Sequence, residues 1–79
     1  MITISGVAIR TCVGRDFSLP WPARHKDVLQ RYQLTGGKHM FVLSTGAYVG
    51  RKAAYHIAQE AGQLIREVPS GKLHSKDVW

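Results

Sequence analysis

Residues 37–66 read GKHMFVLSTGAYVGRKAAYHIAQEAGQLIR, and the fold of the chain turns on how they are divided. His39 to Leu43 is a compact, apolar, β-prone run. Ser44-Thr45-Gly46 is short and turn-forming, and Ala47-Tyr48-Val49 follows as a returning strand. From Gly50 or Arg51 the pattern changes period. Ala54, Ile57, Ala58, Ala61 and Leu64 or Ile65 recur at helical spacing, with Lys52, Tyr55, Gln59 and Gln63 on the outer side. The small residues, Gly62 among them, predict close approach of this helix to another backbone. A hairpin feeding directly into an amphipathic helix aims N–H groups at the helix start, beside Arg51 and Lys52.

Towards the N-terminus, Ile2 to Val13 alternates loosely and is rich in β-branched residues. The alternation changes phase at Gly6, as a bulge would make it do. Gly14 and Asp16 mark a turn, and Phe17 to Leu19 a short extended piece. Pro20 keeps Leu19 out of helical geometry, and Pro22 suits the first turn of a helix running to about Tyr32. Its apolar stripe is His25, Val28, Leu29 and Tyr32. Leu34-Thr35-Gly36-Gly37 closes it, with glycines able to take positive φ. Towards the C-terminus, Pro69-Ser70-Gly71-Lys72 is a strong turn signal. Leu73 to Trp79 is a tail whose last two residues, Val78 and Trp79, predict docking rather than fraying. The expected fold is α+β: a small antiparallel sheet of about three strands packed with two helices, in a single domain spanning residues 1–79.

Composition narrows the function classes. With 44% hydrophobic and 20% charged residues, the 79-residue chain is globular rather than disordered, and small enough that a homo-oligomer is expected to complete its core. Eleven Lys and Arg against five Asp and Glu give a net charge of +6, which favours polyanionic or phosphate-bearing partners. Cys12 is the one cysteine, so no internal disulfide framework is expected, and it reads as a small buried side chain. The four histidines show no metal-ligand spacing, so neither a metal nor a cofactor is expected. No apolar run is long enough for a membrane span and no signal peptide is recognisable, so an intracellular, soluble protein is expected.

The candidate phosphate ligands are Arg24, Ser44 and Arg51. Guanidinium forks match phosphate oxygens bidentately, and hydroxyls at a helix entrance add donors. Tyr48, beside the turn, and Trp79, at the chain end, are the candidates for stacking on a base. His25, Thr45, Lys52, Gln63 and Ser75 form a second tier. His25 reads first as a buried, hydrogen-bonded side chain, because it shares a face with Val28, Leu29 and Tyr32. The segment lacks the spacing of a nucleoside-triphosphate loop, and the acids form no general acid–base pair. His74, Ser75 and Asp77 have the letters of a catalytic triad without the geometry that adjacent residues cannot supply. The expectation is a binding protein, not an enzyme.

The order Pro22-x-Arg24-His25, then Phe41-x-x-Ser44-x-Gly46-x-Tyr48-Val49-x-Arg51-x-x-Ala54, then Ala61-Gly62-Gln63 and Leu73-x-Ser75-x-Asp77-x-Trp79 resembles a group of small tailed-phage accessory proteins. Two departures make this chain more basic. Gly50 stands where that pattern has an acidic or amide residue, and Lys76 where it has a glutamate. The resemblance implies a phage origin and a place in the infected bacterial cytoplasm. It extends to phage anti-defence sponges, which hold cyclic nucleotide signals between subunits without cleaving them. The leading expectation is therefore sequestration of a cyclic (oligo)nucleotide immune signal. The alternatives are a nucleic-acid-binding accessory protein and a protein–protein inhibitor of a host defence enzyme.

Overall fold

The computed structural model describes residues 2–78. Four antiparallel strands, β1 (Ile4–Arg10), β2 (Asp16–Pro20), β3 (Lys38–Leu43) and β4 (Tyr48–Val49), form one sheet in the order β2-β1-β3-β4. Helices α1 (His25–Arg31) and α2 (Arg51–Glu60) pack on one face, and a 3-10 turn covers Ser75–Asp77. The fold is α+β, as expected, with a fourth strand. The extended piece around Phe17 to Leu19 is a full β2 because every residue from Asp16 to Pro20 pairs with β1.

The phase change in β1 has a structural cause. Ile4 pairs with Leu43 and Gly6 with Val42, so Ser5 is the extra residue of a bulge. The bulge turns Ile4, Val7 and Ile9 to the same face, where they meet Phe41, Leu43, Val28, Ala54 and Ala58. Gly6 is required there, since a Cβ would lie 2.5 Å from the Leu19 carbonyl oxygen. Phe41, Ile9, Leu73, Val7 and Val28 are the largest fully buried side chains, each contributing about 1.5–3 kcal/mol on burial.

Both helices differ from the sequence reading at their ends. Residues 20–23 close a turn, with Ala23 N–H donating to Pro20 O (3.0 Å) around a cis Trp21–Pro22 bond. Pro22 therefore precedes α1 instead of opening it. The helix starts at His25 behind Arg24, whose N–H donates to the Asp27 carboxylate at 2.8 Å. At its other end Gln33, not a glycine, takes the left-handed conformation (φ 55°). Leu34 N–H then reaches Leu29 O at 2.8 Å and Gln33 N–H reaches Gln30 O at 3.3 Å, a Schellman closure. Gly62 does the same for α2 at φ 69°, with Gln63 N–H on Ala58 O at 2.9 Å. A Cβ on Gly62 would meet nothing within 4 Å, so this glycine serves the turn and not the close packing expected of it.

Because α2 ends at Glu60, Leu64 and Ile65 leave the helical stripe. Gln63 folds back onto β1, accepting from Ile4 N–H at 2.7 Å and donating to Ile4 O at 3.0 Å. Its amide thus pairs with a strand end as a neighbouring strand would. The tail docks on its own chain: Leu73 is fully buried, Val78 nearly so, and Ile65 N–H donates to Asp77 O at 2.8 Å. Cys12 is exposed at the β1–β2 turn, contrary to the buried position expected, because β1 ends at Arg10.

A basic corner at the head of both helices

Strand β3 starts where α1, α2 and the 3-10 turn all begin. His25, the first residue of α1, stacks its ring on His39 of β3, with centroids 4.3 Å apart and planes 9° from parallel. Arg51, the first residue of α2, places Nη1 3.3 Å from His74 Nε2, just ahead of the 3-10 turn. Helix starts carry partial positive charge, so this end of the molecule is electropositive before any side chain is counted.

The side chains add to that charge. Three adjoining cavities of about 350, 470 and 270 Å³ open here. Gly37, Lys38, His39 and Arg51 line the first. The second is bounded by Arg24, His25, Lys26, His39, His74, Ser75 and Lys76. Lys38 and Arg51 recur in the third, with Gly50, Lys52, Ala53 and Lys72. Seven of the eleven Lys and Arg residues of the chain thus border one corner, and among the described residues no Asp or Glu lines any of its cavities. Three of the five acids are already engaged by other groups. Asp16 is bound by Arg10 at 2.8 Å, Asp27 caps Arg24 N–H, and buried Asp77 takes His74 N–H at 2.8 Å with Arg66 at 3.7 Å.

The histidines form the floor. His25 is buried and its Nε2 lies 2.8 Å from Met40 O. A carbonyl only accepts, so Nε2 carries the proton. Burial lowers the His25 pKa to about 4, outweighing the Met40 bond that acts the other way, with His39, His74 and Arg51 adding to the depression. His39 is also held below its ordinary value, by burial first and then by Arg51 and His74. His74 is held from both sides, with Nε2 3.3 Å from Arg51 Nη1 and Nδ1 3.5 Å from Asp77 Oδ2.

Of the residues singled out from the sequence, the corner gathers Arg24, Arg51, Lys52, His25 and Ser75, the last nearly buried. Arg24 and Arg51 line different cavities, each of which His39 also lines. It does not gather Ser44, Thr45, Tyr48 or Gln63. Ser44 begins the hairpin at the opposite end of β3, five residues or about 17 Å from His39. There Ser44 Oγ accepts Thr3 N–H at 3.1 Å and Thr45 Oγ1 accepts Ala47 N–H at 3.4 Å. Tyr48 lies on the sheet face away from the helices, its hydroxyl donating to Ser18 Oγ at 3.1 Å. Gln63 is held by Ile4 as described above. Trp79 lies outside the described residues.

His39 and Lys38 were missed by sequence reasoning, which took this segment only as the head of a strand. Alternation puts His39 on the same face as Phe41, and that spacing is the signal that could have found it.

A second concavity, of about 600 Å³, lies between α2 and the segment after it, lined by Tyr55, Gln59 and residues 64–69. Arg66 and Glu67 give it mixed charge, unlike the corner. No helix among the described residues is long and apolar enough to cross a membrane, and no group of three or more metal-ligating side chains occurs among them.

Residues 3–79 match the family model described as Phage T4 y16D protein. No curated protein and no solved structure matches the chain.

Proposed function

The chain belongs to the phage T4 y16D protein family, and from that premise we propose that it is a non-enzymatic phage accessory protein that binds a phosphate-bearing ligand at the basic corner and so sequesters a cyclic oligonucleotide signal of host immunity. The observation that carries this reading is the gathering of seven cations, distant in sequence, around cavities that no Asp or Glu among the described residues lines. Arg51 supplies a guanidinium fork for phosphate oxygens, and Lys38, Lys52 and Lys72 supply mobile point charges beside it. Two of the three cavities reach the size of small-ligand sites and all three adjoin, which suits a ligand with more than one phosphate.

A useful sponge needs roughly nanomolar affinity, about −12 kcal/mol. One open corner supplies part of that, so assembly of copies around a shared ligand belongs to the proposal. Calorimetry with a panel of cyclic di- and trinucleotides tests it. Saturable binding to one member, weakened tenfold or more by Arg51→Glu, is the expected result. No heat from any member overturns it.

One observation favours a second reading, nucleic-acid binding: the cations spread over a surface wider than any one of its cavities. That reading predicts affinity for DNA or RNA that falls steeply between 50 and 200 mM salt (by roughly 10³-fold or more if six or more phosphates are neutralised), a loss that a pocket holding two phosphates does not show.

A further inference from the structure

We propose that the outer face of the His39 ring is the platform on which the ligand's base stacks while Arg51 and Lys38 hold its phosphates. This rests on the anion-binding reading above and adds to it the side chain that receives the base of the ligand.

The geometry is a column of rings rising from the core into the corner. Phe41, fully buried, meets His25 edge-on at 5.0 Å and 87°. His25 is fixed by its bond to Met40 O and by burial, and it lies flat under His39 at 4.3 Å. One face of the His39 ring is thus covered and its orientation set from beneath. The half-buried ring borders both the cavity of Lys38 and Arg51 and that of Arg24 and His74. Among the described residues its nitrogens make no hydrogen bond, which leaves them for the edge of a ligand. The depressed pKa keeps the ring largely uncharged at neutral pH, as a stacking surface requires when cations already surround it.

Histidine is among the aromatic side chains on which unstacked bases are held, and stacking on an aromatic side chain is worth about 1–3 kcal/mol per base. At this corner it couples base recognition to phosphate recognition within neighbouring cavities. Tyr48, engaged with Ser18 on the opposite sheet face, has no part in it.

The test compares cyclic di-AMP with the same phosphate ring lacking both bases, by calorimetry on the full chain. The unsubstituted protein is expected to bind the base-bearing ring at least tenfold more tightly than the abasic one. His39→Ala is expected to remove that advantage while leaving abasic binding within twofold, and His39→Phe to restore it, which also excludes simple misfolding. Arg51→Glu should weaken both ligands alike. Equal binding of the two rings by the unsubstituted protein, or an equal loss of both in His39→Ala, overturns the stacking role and leaves the anion site standing. Binding of neither ring overturns this inference, and the anion-binding reading falls with it only if the whole panel of cyclic nucleotides gives no heat.

Discussion

At the Leu43 end of β3 the polar side chains bond neighbours in the protein, whereas at the Lys38 end five lysines pair with no acid among the described residues. Ser44, Thr45 and Tyr48 each bond a neighbour in the same chain, and Gln63 clamps Ile4 nearby. At the other end Lys26, Lys38, Lys52, Lys72 and Lys76 form no ion pair among the described residues. The difference follows from supply. A hydroxyl in a tight hairpin always has a backbone N–H within reach, but eleven cations cannot be neutralised by five acids, of which Asp16, Asp27 and Asp77 are already committed. Substitutions at the first end should therefore move stability alone, and charge reversal at the second should move binding alone.

The largest expected effect tests the floor of the corner. Between pH 6.5 and about 4 the unfolded chain protonates His25 while the folded chain does not, so stability is full above 6.5 and falls as pH drops through that window. The loss approaches about 3 kcal/mol at its lower limit, and His39 contributes in the same direction. His25→Gln, with an amide nitrogen in place of Nε2, should flatten most of that slope in denaturant titrations run at stepped pH. An unfolding midpoint that does not move between pH 7 and 4.5 would refute the buried neutral ring.

Gln63→Ala removes both bonds to Ile4 and should cost about 2 kcal/mol by chemical denaturation while leaving anion affinity unchanged. A change in affinity would break the separation between the two ends. Arg51→Glu is the converse. It should weaken ligand binding by tenfold or more, about 1.4 kcal/mol, with stability moved by less than about 0.5 kcal/mol. Tyr48→Phe should cost about 1 kcal/mol of stability through the bond to Ser18, again with binding intact. Gln33→Gly, at neither end, should raise stability by about 0.5–1 kcal/mol by relieving a left-handed residue, which a melting curve would register.

The fold was legible wherever its cause was local. The hairpin at Ser44-Thr45-Gly46, the start of α2 at Arg51 and the phase change around Gly6 each follow from a few adjacent residues. Strand β2 was only half legible, because Asp16 to Pro20 becomes a strand through pairing with β1 rather than through its own pattern. The start of α1 was misplaced because Pro22 fits two roles, and the turn closed by Pro20 and Ala23 decided between them. For the corner, the two arginines were readable as forks beside helix starts. Lys38, His39 and Lys76 were not, since strand pairing and tail docking bring them together across nearly 40 residues of chain. The hydroxyls at the hairpin looked like ligand donors because their acceptor geometry, a returning backbone N–H, exists only after the turn has formed.

The clamp between Gln63 and Ile4 has a consequence for how the protein is made. Fifty-nine positions separate its two halves, and Leu73 bonds back to Arg51 O later still. Strands β2 and β3 flank β1 from Gly6 to Arg10 before Glu60 is made, but the Ile4 end, which β2 does not reach, keeps one edge unfinished until Gln63 emerges. The nascent chain must wait for its closing segments before the layers can lock, so a slow stretch of translation after Glu60 would prolong the interval in which that edge is open to mispairing with another chain.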